Sequence, residues 1–336
     1  MISPMRTATV AAKAATHILH GGDSRHLHWM PDESVHLVVT SPPYWTLKEY
    51  PPNKKQLGLI ADYQEFHDEL DKVWQHCFRV LVPGGRLVCV VGDVCLARRT
   101  HGRHMVMPMH ADIVVRARKI GFDNLSPIFW YKISNAQYEV ENGSSFLGKP
   151  YEPNAIIKND VEFILMLRKP GGYRQPTQEQ REASRLTKEE HHEWFQQVWT
   201  LPGESTREHP APFPEELAYR LVRMFSFIGD TVLDPFAGLA TTLLAAARCD
   251  RNSIGIEVEP VYVKKAKAKL ERELSSLFGH RAPLLALGAR RFHSGIKPTK
   301  RRNGRTNSFL FNGKSLSPVA RRLLALRAGR KHGADG

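Results

Sequence analysis

Two short strings carry the residues best suited to chemistry. The first, Thr40-Ser41-Pro42-Pro43-Tyr44-Trp45, directly follows the apolar run His36–Val39. Consecutive prolines make a stiff turn without backbone donors and leave carbonyls turned toward whatever lies beside them. Ser41 adds a hydroxyl, and Tyr44 and Trp45 add flat aromatic faces, so the set can clamp a planar heterocycle bearing an exocyclic amine. The second string, TVLDPFAGLATTLLAA at 231–246, runs a short apolar strand into Asp234, a turn of proline and small residues, and a helix opened by Thr241 and Thr242. Small residues let the backbone approach a ligand at the carboxyl end of a parallel strand, and a carboxylate there can hold a cationic or hydroxyl-bearing group. Twenty-three residues later SIGIEVE ends a second strand in Glu257, the usual kind of acceptor for ribose hydroxyls. The GK[ST] ending of a phosphate loop and the GxGxxG dinucleotide turn are both missing. Together the strings suggest an adenosine-type cofactor. Taken singly, each also fits a plain proline turn or a strand–turn–helix with a capping Asp.

The surrounding pattern supplies elements to position them. Apolar runs at 36–40, 86–91, 126–132, 161–167, 231–233 and 253–257 read as strands, alternating with amphipathic segments. That alternation predicts an α/β fold with a largely parallel sheet. Asp62, with Glu65 three residues on, reads as a cap for a helix carrying Phe66, Leu70, Trp74, Cys77 and Leu81, ending at the PGG of 83–85. Further helices are expected from about Met107 to Gly121 and from Pro260, the latter with Tyr262, Ala266, Leu270, Leu274 and Leu277 on one face. These stripes read as core. Two polar stretches, 133–158 and 169–208, interrupt the alternation, and the second holds the cluster HHEWFQQVW.

Composition narrows the classes. The 336 residues suffice for one large or two ordinary domains, and 42% hydrophobic with 24% charged residues is globular. No apolar stretch approaches a membrane span. Cys77, Cys89, Cys95 and Cys249 lack CxxC spacing, which disfavours a disulfide framework or zinc cluster. Lys13 interrupts any signal-peptide core, arguing against secretion. The net charge of +14 is uneven: after residue 279 come ten arginines and four lysines against one acid, Asp335, leaving the body nearly neutral. A flexible basic extension touching a polyanion is the expectation there.

Combined, the motifs resemble the amino-methyltransferases of DNA. Ser41, Pro42, Pro43 and Tyr44 match the catalytic signature [SND]PP[YFW]. Asp234, Pro235, Phe236, Gly238, Thr241 and Thr242 match a cofactor signature close to DPFxGxGTT, with Ala240 where the last glycine is usual. Gly22-Asp23, LVPGG at 81–85 and EHPAPFPEEL at 208–217 extend the likeness over about residues 16–275. The catalytic motif precedes the cofactor motif, as in the beta arrangement of this family.

The resemblance implies an S-adenosylmethionine-dependent, Rossmann-like α/β fold: a mostly parallel twisted sheet with helices on both faces, a small target-recognition insertion and a basic extension. It divides the chain into a catalytic half at 16–168, a target-recognition segment at 169–208, a cofactor half at 209–279 and a tail at 280–336. It implies that the target nucleotide is flipped out of double-stranded DNA. Tyr44 would stack on the base, while the Ser41 hydroxyl and the Pro42 carbonyl accept from its amine. Ser at the signature's first position favours cytosine N4 over adenine N6. Glu257 would take the ribose hydroxyls, Asp23 would lie near the adenine, and Asp234, Gly238 and Phe236 would line the methionine end. His209, Pro210 and Phe213 would close the pocket. For DNA, Trp45, Asn135, Gln137, Tyr138, Arg174, Arg301 and Arg302 are the candidates. No metal is required. The setting implied is the cytoplasm of a bacterial host, the gene being bacterial or phage-borne, either in restriction-modification with a cognate endonuclease as functional partner or as an orphan methylase. Competing readings are an RNA or an adenine methyltransferase, and a non-catalytic DNA-binding protein on the same scaffold; a nicotinamide dehydrogenase is weakest, lacking its glycine fingerprint.

Overall fold

The computed structural model describes residues 15–48, 50–133, 153, 157, 159–204, 212–278 and 285–287. Along the chain these form β1 (His17–Gly21), β2 (Val35–Thr40), α1 (Tyr63–Val80), β3 (Leu81–Val91), β4 (Val94–Leu96), α2 (Arg98–His101), β5 (Met105–Met107), α3 (Met109–Ile120), β6 (Asp123–Ile133) and β7 (Val161–Arg168). There follow α4 (Gln178–Ala183), α5 (Lys188–Trp194), β8 (Val198–Pro202), α6 (Glu215–Phe225), β9 (Thr231–Asp234), α7 (Thr241–Arg248), β10 (Asn252–Glu257), α8 (Pro260–Phe278) and β11 (Leu285–Leu287). The main sheet has the order β11-β1-β10-β9-β2-β3-β7-β6-β8. Pairing is parallel except at β3–β7 and β7–β6, which are antiparallel. The expected parallel sheet is therefore a mixed one, because β6 and β7 return on themselves instead of crossing over a helix.

The order of connection reverses at the β9–β2 seam: from β9 the chain moves outward to β10, and from β2 it moves the other way to β3. Ligands of open α/β sheets bind outside the carboxyl ends at such a switch point. The seam is short, with register pairs Leu37↔Val232 and Val38↔Leu233. It is clasped at both ends. The Thr231 amide donates to His36 Nδ1 at 3.0 Å, and Thr40 Oγ1 donates to Asp234 Oδ1 at 2.7 Å.

Asp62 caps α1 by accepting from the Glu65 amide at 2.8 Å, as its type and spacing predict. The helix then buries Phe66, Leu70, Val73, Trp74 and Cys77 against one sheet face, together with Ile113 and Ala117 of α3. Each such large side chain stabilises the fold by roughly 2–3 kcal/mol relative to exposure. The helix stops at Val80, earlier than expected. Leu81 is already extended and pairs with Val35, and the next register pair, Leu37↔Arg86, leaves Val82–Gly85 as a bulge within β3. Gly84 takes a φ of 78° there, and a Cβ would meet the Gly172 carbonyl at 2.6 Å. The opposite face packs on α6 and α7 through Leu217, Leu221 and Ala245, joined by Trp194 and Trp199. The tryptophans of HHEWFQQVW thus belong to the core. The stretch around them contributes α4, α5 and an added strand, β8, beside β6, whereas the sequence reads it as a polar interruption. Among the described residues no helix is long and apolar enough to cross a membrane.

Candidate active site

The turns after β2, β9, β10 and β1 converge on one cleft, lined among others by Asp23, Ser41, Pro42, Pro43, Pro235, Phe236 and Glu257. These residues come from four separate strand ends. Sequence places them in two groups, at 23–43 and 235–257; the sheet places the two side by side.

The cofactor-type loop is built by close packing. Gly255 on β10 admits it, because a Cβ at that position would lie 2.7 Å from Leu243 and 2.9 Å from Ala237. The Ala237 amide donates to the Ile256 carbonyl at 2.8 Å, and the Gly238 amide donates to Glu257 Oε2 at 2.8 Å. Glu257 Oε1 accepts from the Glu259 amide at 2.8 Å. Burial pushes the Glu257 carboxyl up to about 7, against the two amides that pull it down. A buried acid poised at neutrality on the cleft wall suits a pair of donor hydroxyls.

Asp234 stands one layer behind that wall. It is 1% exposed and does not line the cleft; its carboxylate accepts from Thr40 Oγ1 and Thr242 Oγ1, each at 2.7 Å, and from the Phe236 amide at 3.0 Å. It fixes the shape of the loop that Pro235 and Phe236 present. Burial raises its carboxyl to about 6 despite those donors. Ser24 Oγ donates to the Pro235 carbonyl, tying the β1 turn to the same loop. Asp23 lines the cleft with both oxygens engaged by Arg25, through the amide at 2.9 Å and the guanidinium at 2.7 Å. Burial would raise its pKa, but those bonds hold it below the usual carboxylate range.

On the opposite wall Ser41 Oγ donates to the Tyr44 phenol at 3.3 Å, and the phenol donates to Glu162 Oε2 at 3.0 Å. Glu162 also pairs with Lys132. Burial, then the Glu162 charge, lifts the Tyr44 phenol well above its ordinary value, so it stays neutral; the ring itself is 7% exposed, packs in the core and does not line the cleft, contrary to the expected stacking position. Glu162 and Lys132 escaped the sequence reading, since only the β3–β7 register brings β7 beside the turn. Tyr50, Lys55, Gln56 and Leu57 also line the cleft, as does Tyr262, which the helical stripe places in the core. Its position five residues after Glu257, in the first turn of α8, is the signal that could have marked it.

Several expected residues sit elsewhere. Trp45 turns inward at a φ of 44°, packs edge-on against Tyr63 at 5.1 Å and is only 9% exposed, so it faces the core instead of a duplex. Arg174 pairs with the buried Asp230, just before β9, and covers the Phe227 ring. That is the amino end of the sheet, away from the cleft, and the draw is an otherwise uncompensated buried acid. Phe213 joins the core under α6 instead of the cleft wall. Thr241 opens α7 without lining the cleft. His209, Pro210, Asn135, Gln137, Tyr138, Arg301 and Arg302 lie outside the described residues.

The cleft pairs a buried, hydroxyl-accepting acid and aromatic walls with a proline–tyrosine turn, and a family model for DNA methylases, the N6 and N4 amino-methyltransferases, matches residues 35–268. The chain belongs to this N6/N4 DNA methylase family. A type II methyltransferase of Methanocaldococcus jannaschii, M.MjaI, is 39% identical over 291 residues, covering 76% of this chain and 93% of its own. The Escherichia coli DNA adenine methyltransferase YhdJ is 30% identical, covering 76% of this chain and 83% of its own. Among solved structures, the proposed DNA modification methylase TTHA0409 of Thermus thermophilus, in complex with S-adenosyl-L-methionine, is 55% identical with a TM-score of 0.68, covering 82% of this chain and all of its own. The fold is that of the S-adenosylmethionine-dependent DNA methyltransferases, and S-adenosylmethionine is the cofactor. The residues present fit it: the Glu257 carboxylate suits a ribose diol, and Phe236, Tyr50 and Tyr262 offer flat or apolar surface to an adenine. The chain is an N6/N4-family enzyme acting on DNA.

Proposed function

We propose that this DNA methylase modifies the N4 amine of a cytosine flipped out of duplex DNA. The observation that carries the reading is Ser41, the first residue of the proline–tyrosine turn, on the same cleft as Glu257 and Phe236. A hydroxyl both donates to a ring nitrogen and accepts from an amine, which suits the adjacent acceptor of cytosine. An aryl amine is a poor nucleophile because its lone pair is delocalised into the ring. The Ser41 hydroxyl and the Pro42 carbonyl accept its hydrogens and favour the pyramidal nitrogen of the transition state, an effect of orientation and electrostatics. Tyr44, which is 7% exposed and packs behind the turn, stacks on the base once its ring turns toward the cleft. The bound cofactor supplies an electrophilic sulfonium methyl. Once methylated, the amine is strongly acidic and loses its proton without a strong base.

On the cofactor side Glu257 takes the ribose hydroxyls, Asp23 lies near the adenine and the 235–238 loop flanks the methionine end. Motif order gives the beta arrangement. Target recognition draws on the 169–208 segment together with 133–158, and the tail after residue 279 adds sequence-independent phosphate contacts. A cognate restriction endonuclease in the same cytoplasm is the functional partner.

Expression in a methylation-free host, followed by single-molecule sequencing and mass spectrometry of the hydrolysed DNA, tests the reading. N4-methylcytosine at one recurring site is expected. Methyladenine without methylcytosine would overturn it in favour of adenine N6, the second reading, which the likeness to the adenine methyltransferase YhdJ supports.

A further inference from the structure

Most arginines among the described residues are committed. Arg25, Arg116, Arg168, Arg220 and Arg248 each pair with one or two acids. Arg86, Arg118 and Arg181 stand singly without an ion pair among the described residues, whereas the β4–β5 hairpin gathers three such arginines at one place. Between Asp93 and Asp112 the sequence holds no acid, and Arg98, Arg99 and Arg103 stand exposed around its tip, with no ion-pair partner among the described residues. In a body that is nearly neutral as a whole, three unpaired guanidiniums within six residues are a local excess.

The hairpin rises from the working edge of the sheet. β3 lies parallel to β2, with Thr40 opposite Cys89, and both run toward the cleft. β3 continues to Val91, and the hairpin begins three residues later at Val94, just beyond the Ser41–Tyr44 turn. Its base is rigid. Val94 and Leu96 are buried in the core, and β4 pairs with β5 in register from Val94↔Met107 to Leu96↔Met105. Asp93 and His110 close its feet, the ring Nδ1 lying 2.7 Å from Asp93 Oδ1 and the His110 amide donating to the same oxygen at 3.2 Å. His110 also stacks on Phe163, with ring centroids 3.7 Å apart, next to Glu162. The tip is a single helical turn ended by Gly102 at a φ of 74°. Three paired residues lift it about 10 Å from its feet.

We propose that this hairpin is a DNA arm: it lies on the sugar–phosphate backbone beside the extruded nucleotide, with Arg98, Arg99 and Arg103 each contacting a phosphate. The inference rests on the DNA methyltransferase activity. A base leaves the stack only while its flanking backbone is held, and a guanidinium grips a phosphate with two parallel hydrogen bonds. A rigid arm places those grips at fixed distances from the catalytic turn, which positions the nucleotide without reading its sequence.

The test compares the full chain with R98A/R99A/R103A and with the corresponding triple lysine variant. The probe is a short duplex containing a site that the wild type is shown to methylate. Three phosphate contacts make the logarithmic salt slope of affinity about 2.7 shallower in the alanine variant, so the advantage of the wild type shrinks about 40-fold between 50 and 200 mM salt. S-adenosylmethionine affinity and the methylated site stay unchanged, and the lysines restore most of the slope. An unaltered slope would show that the arm does not touch phosphates. A changed methylated site would show base reading, and a lost cofactor affinity would show a structural role; each overturns the proposal. Absence of methyl transfer to any DNA by the wild type would instead remove the activity on which it rests.

Discussion

Tyr44 donates its phenolic hydrogen to Glu162 Oε2 at 3.0 Å, so the aromatic ring of the proline–tyrosine turn is steered by a carboxylate on a strand 118 residues away. Lys132 holds that carboxylate from β6, and Gly92 leaves it room, since a Cβ there would lie 3.2 Å from Glu162 Cγ. A hydrogen bond to a charged group contributes about 1.5–3 kcal/mol. Glu162→Ala should therefore slow methyl transfer by about 10- to 100-fold in single-turnover kinetics, with cofactor affinity unchanged. Glu162→Gln, whose amide oxygen still accepts, should recover part of the loss. Equal rates for the alanine variant and the wild type would remove Glu162 as a positioning residue.

With Glu257 as the proposed acceptor of the ribose hydroxyls, cofactor binding should depend on pH. Its carboxyl titrates at about 7 in the free protein, above its ordinary 4.5, because burial disfavours the charge. The stability it contributes is fully present below about pH 4.5 and is lost as pH rises through 7. Ribose hydroxyls donating to this carboxylate would favour its charged form, so binding would release a proton wherever the free group is protonated. The Kd for S-adenosylmethionine should tighten by about tenfold per pH unit on approaching 7 from below, then level off. The shift in Tm on saturation should grow over the same interval. Glu257→Gln should bind more weakly and flatten the Kd profile; a persisting step would assign it to another group.

The fold and the site were not equally legible. The turns at 40–45 and 231–246 and the acid at Glu257 combine their chemistry with a strand end in one continuous string, so their place at the carboxyl edge could be read directly. Glu162 could not, because its role depends on the antiparallel register Val91↔Phe163, which the sequence does not record. Tyr262 shares a helical stripe with the core residues Ala266 and Leu270, and periodicity alone cannot say that its first turn faces a cleft. Trp45 and Arg174 look suited to DNA by side-chain type. The left-handed turn at one and the buried Asp230 beside the other direct both away from it.

Asp234 carries the switch-point seam, and its loss should unfold more than a loop. Asp234→Ala strands the Thr40 and Thr242 hydroxyls and the Phe236 amide, with a cost of about 3 kcal/mol or more. Urea unfolding should show a lower midpoint with the m-value retained. Asp234→Asn keeps the shape at smaller cost. Because burial raises the native carboxyl to about 6, the contribution of Asp234 is full below about pH 4 and declines as pH rises through 6. The gap between wild type and Asp234→Asn should therefore narrow from pH 5 to pH 8. A gap that widens would place the titrating charge elsewhere.

Ala240 occupies the left-handed region at φ 63°, ψ 31°, immediately before α7, a conformation that glycine adopts without steric cost. A left-handed alanine costs about 1–2 kcal/mol. Its methyl group offsets part of this, being fully buried in the cluster that includes Leu19, Leu243 and Leu244. Burying one methyl contributes about 0.8 kcal/mol, and glycine would also gain about 0.4–1 kcal/mol of freedom in the unfolded chain. These opposing contributions nearly cancel, so Ala240→Gly should leave unfolding free energy within about 1 kcal/mol of wild type. Ala240→Val adds β-branching to a left-handed backbone in a closed space and should cost several times that. The methyl lies behind the loop and does not line the cleft, so cofactor affinity should be the same for alanine and glycine. A markedly tighter glycine variant would mean that the methyl holds the 235–238 backbone away from the ligand after all.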